Sequence, residues 1–426
     1  MLRILLLSDM HFIHCEDDDN CYRSLETAFV EAMDEVRESG GLNQILICGD
    51  VANKGQESEY QTAEAFLKRI FEHLGCDEKQ TQVDVVPGNH DIDRNINKMT
   101  RWGLRSSLSD INQAEEFMHE AKNNEMDTLK ILYSPFKAFH KFANAHSSLD
   151  GIAEAIFLNA PNFMCRSFRK EVELGILNDY IIKLHCLNSA LLCDKDDVYD
   201  PRDMKEGEHK LFIPKAAYNP DTPSTTVNIS MMHHPHAWFI NEEDLRAEFD
   251  RKFKIQIYGH IHTQSISQDI TGKSAIRLQV GSLHPGQGSN PDLYPPLYNI
   301  LEIDIVREIL TVKVMCYSWD GYRFNKNDRF SYQKKIKLEE RSKRTTKQKD
   351  MVNKMKMTIE NSDEVYELKY RLYKSEHIME IISEIKPKAY DDNKEEEINA
   401  MIFFQSIALK KDMLEQLRVS LTKYGD

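Results

Sequence analysis

Five short clusters in this chain combine side chains that bind metal ions: Asp9-Met10-His11, Gly49-Asp50, Gly88-Asn89-His90-Asp91, His233-His234-Pro235 and Gly259-His260-Ile261-His262. Asp-x-His and His-x-His set two donors on alternate residues, so one tight turn can grip one ion or two neighbouring ions. Imidazole, carboxylate and amide carbonyl make a mixed nitrogen and oxygen set that suits Mn, Fe or Zn better than Ca or Mg. No cysteine joins the set, which argues against a structural zinc site. Asp9, His11, Asp50, Asn89, His233, His260 and His262 are too many donors for a single tetrahedral ion. They suit two ions about 3.5–4 Å apart that share one carboxylate.

Each cluster follows a segment that reads as a strand. Arg3 to Leu7, Gln44 to Cys48 and Val83 to Val86 are short apolar runs. Between them, Leu25, Ala28, Phe29, Ala32, Met33 and Val36 recur at helical spacing, as do Tyr60, Ala63, Phe66, Leu67, Ile70, Phe71 and Leu74. This βαβαβ order predicts a mostly parallel sheet with right-handed crossovers. Ligands bind at the carboxyl ends of strands in such sheets, so the clusters are expected to converge on one edge. Further strands are expected at 180–187, 226–232, 255–258, 274–280, 298–305 and 310–317. The later ones follow one another without long helices, which predicts a second, more antiparallel sheet.

The segment 93–173 reads as a helical cap insertion, in which Tyr133, Phe136, Phe139 and Phe142 mark a helix's core face. Residues 331–350 carry eight basic and three acidic side chains and read as a basic linker. Residues 351–426 hold one Pro and one Gly and read as a helical C-terminal region, expected to serve self-association or a protein partner. Lys plus Arg number 55 and Asp plus Glu 69, a formal net charge of −14. So acidic a chain does not coat nucleic acid or anionic membrane by bulk charge, although a local basic patch can still act. Met1 to Leu7 is too short for a secretory signal, and no run of about 18 apolar residues occurs. Eight scattered cysteines with no CxxC pair fit a reducing, cytoplasmic setting.

In their order, and in following strands, these five clusters resemble the motifs of the calcineurin-like metallophosphoesterases over about residues 1–325. The resemblance implies an α/β fold, a four-layer α-β-β-α sandwich with a helical insertion, here followed by the helical appendage. It implies that Asp9, His11 and His262 hold one divalent ion, that Asn89, His233 and His260 hold a second, and that Asp50 bridges them. Mn is the expected metal, with Fe and Zn as alternatives. His90 matches the family's histidine that acts on the phosphoryl group or leaving oxygen, and Asp91 would orient it. The implied reaction is phosphoester hydrolysis by a metal-bridging hydroxide.

The segment Gly49-Asp50-Val51-Ala52-Asn53-Lys54-Gly55 looks more like the phosphodiesterase and nuclease branches than the protein-phosphatase branch. The expected substrate is therefore a nucleotide or nucleic acid. The alternatives are a phosphomonoesterase or phosphoprotein phosphatase, and a phosphoesterase-fold subunit whose tail recruits a partner. Asn53, His236 and His284 lie beside the motifs and are candidate substrate contacts. Asn188 is expected to close a turn.

Overall fold

The computed structural model describes residues 1–14, 23–76, 80–100, 103, 111–124, 131–146, 169–193, 211–215, 217–220, 225–262, 264–268, 275–285, 294–338 and five residues near the C-terminus. The chain divides into two units, Met1–Glu340 and Arg341–Asp426. In the second, residues 416, 419, 420, 422 and 423 are helical. The rest of the expected helical region and of the linker beyond Leu338 lie outside the described residues.

The first unit runs β1 (Leu2–Leu7), α1 (Arg23–Glu38), β2 (Gln44–Cys48), α2 (Glu57–Leu74), β3 (Gln82–Val86), α3 (Ile111–Asn124), α4 (Lys137–His146), β4 (Arg169–Leu177), β5 (Tyr180–Leu187), β6 (Thr226–Met231), α5 (Glu242–Lys252), β7 (Ile255–Tyr258), β8 (Ser265–Gln268), β9 (Ile276–Gln279), β10 (Leu297–Val306), β11 (Ile309–Trp319), β12 (Phe324–Lys326) and β13 (Tyr332–Lys337). One sheet has the order β12-β11-β10-β1-β2-β3, with β13 also on β11, and the other β4-β5-β6-β7-β9-β8.

Strand β1 shows why two sheets form. Leu2, Ile4 and Leu6 share a core with Ile182, Leu184, Ile229, Ile257 and Leu278 of the other sheet. The alternate residues Leu5 and Leu7 join Phe29, Met33, Phe66 and Ile70 of α1 and α2. Both faces of the strand are buried, so it reads as a continuous apolar run rather than an alternating one. Helix α2 begins with a capping box between Gln56 and Glu59 and ends at Gly75, whose φ of 64° closes the helix in the left-handed region.

The parallel β1-β2-β3 ladder is as expected. The second sheet is not more antiparallel, as the lack of helices between later strands had suggested. Its inner pairs β5-β6, β6-β7 and β7-β9 are parallel, and its edge pairs β4-β5 and β8-β9 are antiparallel. The consecutive strands β10 and β11 instead join the first sheet beside β1. Two segment boundaries also change. Residues 169–173, assigned by sequence to the cap, belong to β4. Residues 332–337, assigned to the linker, form β13 against β11 and bury Ile336. High Lys content hid that strand because lysine is a common occupant of exposed edges. In the middle of the expected cap, Phe136, Phe139 and Phe142 are buried against the α2 side of the core, Phe142 lying 5.3 Å from the Tyr60 ring. They are core, as the spacing implied.

Candidate metal centre

Strands β1, β2, β3, β6 and β7 each deliver a polar cluster at their carboxyl ends, and hydrogen bonds across the two sheets hold these ends together. His233 Nδ1 lies 2.8 Å from the Cys48 carbonyl oxygen. The His260 amide donates to Asp9 Oδ2 at 3.1 Å, and the Leu283 amide to the Ser8 carbonyl at 3.1 Å. The Ser8 hydroxyl donates to Asp9 Oδ2 at 2.5 Å. Two glycines are required by this closeness: a methyl at Gly88 would collide with the Asp50 carboxylate, and one at Gly259 with Ser8 Oγ and the Cys48 carbonyl. Asp9, His11, Asp50, His260 and His262 all have positive φ, between 45° and 77°. Non-glycine residues occupy this region at a cost, and such strain gathers at functional sites.

The side chains converge. Ligand atoms of Asp9, Asp50 and His233 lie within 4.8 Å of one another, as do those of Asp9, His11 and His262 and those of His11, Asp50 and His90. His233 Nε2 is 3.2 Å from Asp50 Oδ2, and His262 Nε2 is 3.3 Å from Asp9 Oδ1. His11 Nε2 stands 4.0 Å from both carboxylates and 3.2 Å from His262 Nε2. Asp9 Oδ1, Asn89 Oδ1 and His233 Nε2 are buried and make no hydrogen bond. Because His233 Nδ1 donates to a carbonyl, Nε2 is the atom it would present to a cation, on giving up the proton that Asp50 favours. Unpaired buried acceptors on a mixed nitrogen and oxygen donor set fit divalent ions, which would satisfy what the protein leaves open.

The charges are mutually arranged. Burial works against ionising Asp9 and Asp50, but His262 beside Asp9 and His233 beside Asp50 hold both carboxyls well below their usual range. Burial also opposes charge on His233, yet Asp50 raises it to about 9, and Asp9 similarly raises His262. Burial dominates at His11 and His260, which fall to about 4 and about 3. Burial and the charge of Asp50 push Asp91 up to about 6.

The family model described as calcineurin-like phosphoesterase matches residues 2–264. The chain belongs to this family. The candidate donor residues, from Asp9 to His262, all lie within the matched range. A curated relative, an uncharacterized metallophosphoesterase-like protein YydB of Bacillus subtilis (strain 168), is 23% identical over 326 residues. That match covers 75% of this chain and 60% of the relative, so the chain spans less than two thirds of the relative's length. Among solved structures, a dimetal phosphatase from Danio rerio is 11% identical, with a TM-score of 0.38, covering 79% of this chain and 99% of that one. The purple acid phosphatase PPD1 from yellow lupin (Lupinus luteus) seeds is 14% identical, with a TM-score of 0.40, covering 78% and 53%.

His90 sits beside the cluster, its ring centroid 4.7 Å from that of His11. Its amide donates to Asp50 Oδ1 at 2.8 Å and its Nδ1 lies 2.8 Å from the Asn53 carbonyl oxygen, leaving Nε2 for a substrate oxygen. Asn53 thus contributes its backbone to His90. Asp91 does not orient the His90 ring, contrary to the sequence expectation. Its carboxylate accepts from the amides of Gly88 at 2.9 Å, Ala52 at 2.9 Å and Val51 at 3.3 Å, and from the Tyr60 hydroxyl at 2.9 Å. It ties the loop after β3 to the loop after β2 and to α2. His236 and His284 are also corrected as substrate contacts. His236 is buried against Phe249 and Tyr258, with Nε2 3.2 Å from the Tyr258 hydroxyl oxygen. His284 is fully buried, its Nδ1 2.5 Å from the Met10 carbonyl oxygen and its ring edge-on to Phe12. Neighbourhood in sequence put both near the motifs, but their rings turn into the core. Asn188 closes a turn, accepting from the Ala190 amide at 3.0 Å.

Three supports escaped the sequence reading. Ser189 Oγ accepts from the His234 amide at 3.1 Å and lies 2.9 Å from His234 Nδ1, and that ring packs 4.6 Å from His260. Trp238 meets His260 edge-on at 4.8 Å. Tyr60 reads as one more apolar position in the α2 stripe, and only the fold shows its hydroxyl on Asp91. Among the described residues, no helix is long and apolar enough to cross a membrane.

Proposed function

We propose that this phosphoesterase is a phosphodiesterase acting on a nucleotide or nucleic acid in the cytoplasm. The carrying observation is the placement of Asp50. One buried carboxylate belongs both to the group with Asp9 and His233 and to the group with His11 and His90. Asp50 would therefore be shared by two ions, with Asp9, His11 and His262 on one side and Asn89, His233 and His260 on the other. When bound, the two ions, Mn in our reading, lower the pKa of water and neutralise phosphoryl charge.

The chain's own residues do the rest. His262 and His11 remain partly exposed, at 28% and 11% of their side chains, so the cluster opens to solvent on their side. A phosphate entering there meets His90, whose Nε2 can hydrogen-bond the leaving oxygen and supply a proton to it. The carbonyl of Asn53 holds that ring in place. A leaving-group acid matters most for a poor alkoxide, which favours a diester substrate. Cys48, Cys76, Cys186, Cys193 and Cys316 are all free thiols, consistent with a reducing compartment.

The decisive experiment is Asp50→Asn, with metal content and hydrolysis of bis(p-nitrophenyl) phosphate measured in parallel with Mn²⁺ supplied. Loss of both metal and activity is expected. Two tightly held metals with normal turnover would reject the shared-carboxylate assignment. A wild-type preference for p-nitrophenyl phosphate over the bis ester would reject the diester reading.

A further inference from the structure

The edge that carries the metal-binding cluster also carries a second built feature. In β1, Leu6 pairs with Asn299 of β10, and Leu297 of β10 pairs with Ser318 of β11. The hairpin that joins β11 to β12 therefore emerges at the sheet edge where β1 delivers Asp9. From β1 to β12 is three strand spacings, about 14 Å across the sheet. Side chains fix the hairpin to the site region. Phe12, next to His11, begins a chain of ring contacts through Phe66 at 5.3 Å and Phe29 at 5.4 Å to Phe324, at the start of β12, at 5.7 Å.

The hairpin tip is ordered by its own hydrogen bonds. Asp320 Oδ1 accepts from the amides of Tyr322 at 2.9 Å and Arg323 at 3.0 Å, and Asp320 Oδ2 accepts from Asn325 Nδ2 at 2.7 Å. These bonds hold Tyr322 at 90% exposure, the most exposed of the large apolar side chains described. An ordered aromatic face kept in water is a stacking surface without a partner. The loop after β12 adds to it. Asn327 donates its amide to the Cys316 carbonyl at 2.7 Å and accepts from the Arg329 amide at 3.2 Å. The Phe330 carbonyl takes a hydrogen bond of 3.3 Å from Gln264, two residues past His262. The Arg329 guanidinium lies 5.4 Å from the centre of the Phe330 ring. The exposed Arg329 and the half-buried Phe330 thus lie beside the segment that follows His262.

We propose that Tyr322, Arg323, Arg329 and Phe330 form a platform for single-stranded nucleic acid, bases stacking on the rings and phosphates meeting the guanidiniums. This rests on the phosphodiesterase reading and names its substrate as a polynucleotide. The pairing of exposed rings with basic groups is how proteins grip single strands without reading sequence. At a rise of about 3.4 Å per nucleotide, the span from β1 to β12 accommodates about four stacked nucleotides. In a chain of net charge −14, the strand needs such locally placed cations.

The test uses the full chain and a fluorescein-labelled single-stranded oligodeoxynucleotide of about twelve residues, with binding read by anisotropy in EDTA. Tyr322→Ala and Arg323→Ala should each weaken binding about 5- to 100-fold, whereas Tyr322→Phe should bind like the wild type. Hydrolysis of bis(p-nitrophenyl) phosphate by the Mn²⁺-loaded variants should be unchanged. Wild-type affinity in Tyr322→Ala overturns the platform, as does a wild type that hydrolyses the small diester yet binds no oligonucleotide. If the oligonucleotide binds through Tyr322 but the small diester is not cleaved, the platform stands and the phosphodiesterase reading falls.

Discussion

Replacing Asp91 with Ala should unfasten the metal-binding loops rather than merely slow the chemistry. The carboxylate is fully buried and accepts four hydrogen bonds, from Gly88, Ala52, Val51 and Tyr60. Alanine leaves these donors without an acceptor in a space closed to solvent. A stranded buried donor costs about 1–3 kcal/mol, and the 3.3 Å bond from Val51 belongs at the low end, so the expected loss is about 4–10 kcal/mol. That is a large share of the roughly 5–15 kcal/mol that stabilises a folded domain. Gly88 precedes Asn89, and Val51 follows Asp50, so the loosened loops are the ones that carry the two residues proposed as the shared carboxylate and the amide donor. Urea unfolding should show the loss, and elemental analysis should show depleted metal. Tyr60→Phe, which removes one donor and keeps the acceptor, should cost only about 1 kcal/mol and retain metal. An Asp91→Ala protein of near-native stability, fully metal-loaded and slow only in turnover, would refute this reasoning. It would return Asp91 to the role of orienting His90.

His90→Ala should retain both metals and slow cleavage of a natural diester by about 10²–10⁴-fold, with an activated nitrophenyl ester hurt less. Loss of metal in that variant would show that His90 is a ligand. Acid sensitivity follows from His236 and His284, which burial holds down to about 3 each. In the unfolded chain both take a proton near pH 6.5, so the stability they contribute is complete above that value and is lost as pH falls toward 3. Each contributes about 1.4 kcal/mol per pH unit within that window. The urea midpoint should therefore drop between pH 7 and pH 5, and an unchanged midpoint would show that these rings are not held neutral.

Much of the candidate site is legible in the sequence because one rule writes three of its five clusters. An apolar strand ends, a glycine gives room, and donors follow. Gly49-Asp50, Gly88-Asn89 and Gly259-His260 each obey it, and three-dimensional contact adds little to their placement. What sequence could not show depends on where a side chain turns. His236 and His284 follow strands just as His233 does, yet their rings point into apolar packing. Asp91 sits one residue past His90 and accepts from four other groups instead. Sheet membership was hidden for a similar reason. Consecutive strands suggested a separate antiparallel sheet, but β10 pairs with β1 from the far end of the unit, and alternating polarity does not name a partner. Strand β13 was obscured by lysines that suit an edge as well as a tether.

The left-handed backbone at Asp9, His11, Asp50, His260 and His262 sets a limit on how this protein can be improved. Each position bears a conformational penalty of order 1 kcal/mol or more. Glycine would relieve it at any of the five, and selection for thermal resistance alone would reward that exchange. Every such exchange would also delete a candidate donor. Stability and metal capture are thus opposed at the same residues, and a laboratory lineage pushed toward heat tolerance without an activity screen should drift toward a sturdier, emptier cage.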